Sequence, residues 1–340
     1  MTSLANWKIT LFRVASMSAA TLLVTLLSST ARAVPVLTAA GSTAGFSLSQ
    51  FAYNFPITSY PCCGPLGIAF TGGGQVMVSD YPGNVRIFPT DVDGQNAALF
   101  PVVQNYGYGN GVGLATVGSN VYMAEQSAGT VVQLNSTGTF NQTIVSGIPT
   151  ATGIVANPAN GHLFVSDCCS GSGIWDIDPI AKTKTQILTG NFDGLTISPS
   201  GNILYAENGG HIIGYNTATW SVVYDSGYIG GADGTALGFG TLAGNIFIND
   251  NFGNLWEQDL TTHILTDIVT GGTRGDFVTA DPNGTLLFTQ TSDIWRLTAP
   301  AGGCIGYSCN SVPEPATLAL FALGLAGLGF IRRKQYLIQR

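Results

Sequence analysis

Three aspartates recur at one kind of place in this chain. Asp193, Asp233 and Asp276 stand directly before the short apolar segments Gly194-Leu195-Thr196, Gly234-Thr235-Ala236 and Phe277-Val278-Thr279. If the fold brings such segments side by side, the three carboxylates converge. At about 8 Å and an effective dielectric of about 20, each pair repels by about 2 kcal/mol. Proton uptake or a bound cation relieves that repulsion. Oxygen-only donors suit Ca²⁺ or Mg²⁺ better than zinc. The matching positions earlier in the chain hold Leu66, Val112 and Thr152, so the acids would occupy one side of a ring. A second acidic series is Asp80, Glu125, Asp167, Glu207 and Asp250, with Gln290 in the sixth place. An acid in nearly every copy is expected to accept hydrogen bonds in a turn rather than to form a site.

The elements that would position these residues form a repeat. Each copy has a Gly-apolar segment, a turn, an apolar segment ending in the acid, a Gly turn and a third segment. The first reads Gly67-Ile68-Ala69-Phe70, Val76-Met77-Val78-Ser79-Asp80 and Asn84-Val85-Arg86-Ile87. The second segments end at 80, 125, 167, 207, 250 and 290, a spacing of 40 to 45 residues. Strands alone at that period indicate an all-β, six-bladed β-propeller. Fourth strands are expected at 98–100, 142–145, 185–188, 221–224 and 267–269. The sixth copy lacks one after Leu297, and Phe46–Phe51 is expected to supply it and close the ring. Trp175, Trp256 and Trp295 fall at equivalent third-strand positions, where packing between blades accounts for them.

The repeat phrase resembles the blades of NHL-type and SMP-30/gluconolactonase-like propellers over roughly 65–297. In SMP-30-like enzymes an Asp or Asn before such a Gly-Leu strand binds a divalent metal. The resemblance therefore implies metal ligation at Asp193, whose Asp193-Gly194-Leu195 phrase matches best, and at Asp233. A fold of this kind hosts many activities, so it specifies architecture more than function.

The two ends read as sorting signals. Lys8 and Arg13 precede the apolar stretch Val14–Leu27, and Ala31-Arg32-Ala33 offers a small-x-small cleavage site at Ala31 and Ala33 for signal peptidase. Near the C-terminus, Val312-Pro313-Glu314-Pro315 is followed by an uncharged run from Ala316 to Ile331 and then by Arg332, Arg333 and Lys334. Those 16 residues make about 24 Å of helix, enough for a thin bilayer, with the basic cluster held on the cytoplasmic side. This arrangement resembles the PEP-CTERM sorting signal of Gram-negative bacteria. The resemblance implies recognition by an exosortase, a transient stay in the inner membrane, and transfer to the cell surface or the exopolysaccharide matrix.

Six cysteines fit an oxidising destination. Cys304 and Cys309 are expected to close a small loop. Cys62-Cys63 and Cys168-Cys169 are adjacent pairs that either cross-link two loops or form vicinal bridges. The expected organisation is a signal peptide at 1–33, an N-terminal segment at 34–64, the propeller at 65–298, a disulfide-containing linker at 299–311 and the sorting signal at 312–340.

Charge narrows the partners. Between 34 and 311 only five basic residues (Arg86, Lys182, Lys184, Arg274, Arg296) face 18 acids, a balance of −13. Such a body repels nucleic acid and attracts cations. His162, His211 and His263 are isolated, and no HExxH, GxSxG or P-loop phrase occurs. The leading expectation is a non-catalytic binding or scaffold module for matrix polysaccharide, protein or a small ligand. The alternative is a divalent-metal-dependent, lactonase-like hydrolase with Asp193, Asp233 and Asp276 at a channel mouth.

Overall fold

A computed structural model describes residues 33–57 and 63–306. The described residues are nearly all β, with one short helix, Ala39–Ala44, capped by the Thr38 hydroxyl. Six sheets follow one another along the chain. Their innermost strands are Pro65–Phe70, Leu114–Val117, Ala151–Ala156, Leu195–Ile197, Ala232–Gly240 and Val278–Ala280. Each touches the next, and the last touches the first, so the sheets form the six blades of a propeller around a central channel.

The second strands are mostly buried, and Val76–Asp80 and Leu163–Asp167 are buried along their whole length. Alternate residues along a strand face opposite sides, and a blade has a neighbour on each side. Both sides must then be apolar, so these strands read as continuous Val, Ile, Leu, Met and Phe runs. Thus Val76 and Val78 enter the core between blades six and one, while Met77 enters the core between blades one and two. Six such cores separate the six blades.

The ring closes as expected from the sequence. Ser47–Tyr53 pairs antiparallel with Ile294–Thr298, with Leu48 opposite Leu297 and Gln50 opposite Trp295. It becomes the fourth strand of blade six. Phe51 and Phe88, both fully buried, meet edge to face across the seam at 5.6 Å. Arg296 reinforces the seam: it is buried, and its guanidinium reaches Asp281 in blade six and Asp91 and Asp93 in the loop of blade one. Val36–Leu37 covers the outer edge of blade five, and Gly303–Ile305 adds to the end of its inner strand. Among the described residues, every sheet and every inter-blade core lies within 36–305, so a 34–311 body carries all of them.

One element differs from the expected pattern. Residues 98–100 are not the fourth strand of blade one. Ala97–Leu99 is a turn of 3-10 helix, started by the Asn96 side chain accepting from the Ala98 amide. Pro101 follows and has no amide to give to a ladder. The fourth strand is the short pair Gln104–Asn105, opposite Asn84 and Val85. The other four outer strands occur at 140–146, 183–188, 222–228 and 265–270. Among the tryptophans, Trp295 is buried in the core between blades five and six, and Trp175 and Trp256 pack against neighbouring inter-blade cores.

The adjacent Cys168 and Cys169 form a vicinal disulfide. Cys63 and Cys304 are disulfide-bonded as well. Cys62 and Cys309 lie outside the described residues, as do Ala31 and Val14–Leu27 of the expected signal peptide and the whole tail from 307. Among the described residues no helix is long and apolar enough to cross a membrane.

The seam gives a direct expectation. Phe51→Ala leaves a cavity at the closing contact and should cost about 3–5 kcal/mol of stability. Chemical denaturation of the 34–311 body measures it; a loss below about 1 kcal/mol would show that the closing strand is not anchored there.

Candidate functional site: the acidic mouth of the channel

The glycines that open the inner strands bring the acids together. A Cβ built on Gly153 would stand 2.3 Å from the carbonyl oxygen of Asp193. One on Gly194 would stand 2.3 Å from that of Asp233, and one on Gly234 would stand 2.7 Å from that of Asp276. Only a residue without a side chain lets each inner strand approach the next blade's leading residue this closely. Hydrogen bonds hold two of the three backbones in place. The Ser166 hydroxyl donates to the Asp193 carbonyl at 2.6 Å, and the Gly234 amide and the Asn249 side chain donate to the Asp276 carbonyl at 3.0 and 3.2 Å.

The six leading positions therefore form one end of the channel, and they divide by chemistry. Leu66 and Val112 pack with Cys63, Tyr81 and Phe277 into a small apolar cluster. Thr152, Asp193, Asp233 and Asp276 make up the polar side. Asp233 and Asp276 are buried, and Asp193 is partly so. The Oδ1 atoms of Asp193 and Asp233 are enclosed and have no hydrogen-bond partner. Asp276 differs: the Arg274 guanidinium donates to its Oδ1 at 2.6 and 3.1 Å. The Asn251 amide lies 3.4 Å from Asp233 Oδ2, while its own oxygen is unpartnered.

The electrostatics follow from this enclosure. Burial, then the charges of Asp276 and Glu207, push the Asp193 carboxyl up to about 7. Burial and the neighbouring charges of Asp193 and Asp276 hold Asp233 well above the carboxylate range. Asp276 is also raised by burial, against the pull of Arg274. Sequence reasoning found the three aspartates and named Glu207 only as a turn acid, and it missed Arg274 and Asn251. Arg274 was signalled by its place two residues before Asp276, as one of only five cations in the body.

The donor set bears on a metal. Two enclosed carboxylate oxygens and an unpartnered amide oxygen are hard donors, the chemistry that Ca²⁺ or Mg²⁺ requires. Among the described residues, no three His, Cys, Asp or Glu side chains are grouped to hold an ion as they stand. Asp276 is already neutralised by Arg274, so Asp193, Asp233 and Asn251 are the residues that would hold one.

The repeated acids at the second-strand ends do what a turn acid does. Asp80 accepts from the Asn84 amide and Arg86, and Asp250 from the amides of Phe252 and Asn254 and the Trp256 indole. Asp167 accepts from Cys169 and Ser170 amides and from neighbouring hydroxyls. The histidines lie away from the mouth acids: His162 meets Asp176 and His211 meets Asp225, each at 2.8 Å, and His263 stacks on Tyr224.

The fold and its end signal define the class. Residues 311–334 match the PEP-CTERM protein-sorting motif, which includes Val312, Pro313, Glu314, Pro315, Arg332, Arg333 and Lys334. The chain is thus an exported, membrane-transiting six-bladed β-propeller with a signal for exosortase processing. No curated protein sequence matches it. Among solved structures, a gluconolactonase of Xanthomonas campestris is similar at 14% identity and a TM-score of 0.59, covering 78% of this chain and 95% of that one. A Thermus thermophilus protein described as a glucose dehydrogenase-type oxidoreductase is similar at 16% identity and 0.58, covering 75% and 100%. A streptogramin B lyase is similar at 15% identity and 0.50, covering 75% and 98%. At these identities the likeness is one of fold.

Two outcomes follow from the geometry. Gly194→Ala forces the inner strands of blades four and five apart and should lower the melting temperature by several degrees, whereas an alanine at exposed Gly72 should not. Second, folded Asp193 keeps its proton up to about pH 7, while the unfolded chain loses it in the ordinary carboxylate range. Stability from this group is therefore full at low pH and lost as pH rises through about 7. In cation-free buffer the melting temperature should fall from about pH 4 to about pH 7, and Asp193→Asn should make that slope shallower. An unchanged slope in the variant would contradict the assignment.

Proposed function

We propose that this protein is an exosortase-sorted propeller that reaches the cell surface or extracellular matrix and acts there as a binding module through its acidic mouth. One observation carries the reading: Asp193 and Asp233 each keep an enclosed, unpartnered carboxylate oxygen at the same end of the channel. Such groups cost stability unless a proton or ligand satisfies them. A divalent cation held by Asp193, Asp233 and Asn251 would supply positive charge and a point of attachment for hydroxyl groups.

The surroundings support a hydroxyl-rich partner such as matrix polysaccharide. Tyr81 packs in the mouth cluster, and exposed Tyr108 meets it edge to face at 4.9 Å. Phe252, next to Asn251, is exposed, as is Tyr228, and the two flank Gly230. Exposed aromatic faces beside carboxylates suit sugar rings, which offer apolar faces and hydroxyl edges. We assign 1–33 to export, 34–298 to the propeller with its closing strand, and 312–340 to sorting.

A second reading is a metal-dependent lactonase-like hydrolase, favoured by the enclosed oxygen donors of Asp193 and Asp233 on the same side of the mouth as the Arg274 guanidinium. In that reading Asp193 and Asp233 would hold the ion and Arg274 would steady developing negative charge.

Thermal unfolding of the 34–311 body with calcium and with EDTA tests the site. Calcium should raise the melting temperature, and Asp193→Ala or Asp233→Ala should abolish the rise. No shift in the wild type would remove the cation site. Hydrolysis of glucono-lactone above the uncatalysed rate, lost in Asp193→Asn, would select the enzyme; none would leave the binding module.

A further inference from the structure

The opposite end of the channel holds a second place with the makings of a site. A cavity of about 390 Å³ opens between the far ends of the six inner strands. Pockets for small molecules run from roughly 300 to 1,000 Å³. Its wall includes Phe70, Val155, Ile197, Leu237, Phe239 and Val278, and none of its lining residues carries a charge. In a body with 18 acids and five bases, an uncharged cavity of this size selects against ions.

Two hydroxyls give it polarity. Thr71 and Thr235 line the cavity, are 7% and 4% exposed, and have no hydrogen-bond partner for Oγ1. Two other threonines of the wall are committed. Thr116 donates to the Phe70 carbonyl at 3.0 Å and Thr279 to the Ile68 carbonyl at 2.9 Å, each bonding to a neighbouring blade. Thr71 and Thr235 thus bring enclosed, unused hydroxyls to an apolar wall. We propose that this cavity binds a small uncharged molecule with an apolar body and one or two hydrogen-bonding groups, which Thr71 and Thr235 engage.

The cavity extends away from the acidic mouth. On the inner strand of blade five Thr235 stands two residues past Asp233, about 7 Å along it, and Leu237 four residues past, about 13 Å. The rim also carries Gly306, and the sorting motif begins at 311.

The test uses 1-naphthol and 1-methylnaphthalene, similar in shape and differing in a hydroxyl, titrated by fluorescence into the 34–311 body. Both should bind, with naphthol about tenfold tighter through its hydrogen bond. The double variant Thr71→Val with Thr235→Val should keep methylnaphthalene binding, lose the naphthol preference and melt no lower than the wild type. Ala156→Phe, with Ala280→Phe as a second block from another wall, should remove both probes while circular dichroism shows the fold retained. The proposal is overturned if neither probe binds the wild type. It is also overturned if folded blocked variants bind as before, or if the double valine variant keeps the preference.

Discussion

The close approach of the inner strands is the constraint on which the rest of this structure depends. Each blade must place its first strand within backbone contact of the next, and a glycine at the start of the strand permits it. Gly153, Gly194 and Gly234 rest against the carbonyls of Asp193, Asp233 and Asp276. The same contact that narrows the channel forces three carboxyl groups to one end of it. Burial there raises their proton affinity before any ligand is considered. The sixth copy has Phe277 where the others have glycine, and its ring joins the apolar side of the mouth with Leu66 and Val112. A sixfold repeat thereby acquires one polar side and one apolar side.

Closure makes that arrangement rigid. The blade-six seam ties the closing strand and the last blade to the first: Phe51 meets Phe88, and Arg296 reaches Asp91 and Asp93, which lie 205 and 203 positions away in the chain. A buried arginine bound to three aspartates is costly to break once made, because each remaining charge would be stranded. The closing strand comes from the N-terminal side of the ring and the sorting tail leaves from the other end of the chain. The sorting motif at 311–334 thus follows a body whose ring is closed by its own N-terminal strand.

Much of this was legible in the sequence, for identifiable reasons. The blades could be read because both faces of each second strand are buried, leaving runs such as Val-Met-Val and Leu-Phe-Val at a regular period. The closing strand could be read because blade six had no fourth strand of its own. The outer strand of blade one could not: Asn96 and Pro101 convert 98–100 into a 3-10 turn, and a two-residue strand leaves no periodic trace. At the site, the aspartates showed themselves by their register before the inner strands. The pairing of Arg274 with Asp276, and the places of Glu207 and Asn251, depend on lateral distances between blades, which spacing along one chain does not report. Adjacent cysteines left two pairings open, and the local turn at Asp167 resolves one as the vicinal Cys168–Cys169 bridge.

The central claim is that the mouth carboxyls hold protons which a cation displaces. Calorimetric titration of calcium into the 34–311 body at about pH 6, in two buffers of different ionisation enthalpy, measures this directly. With Asp193 raised to about 7, binding should release at least about one proton per ion at pH 6, and Asp193→Asn should reduce that release. Binding with no proton release, or no binding at all, would contradict the account.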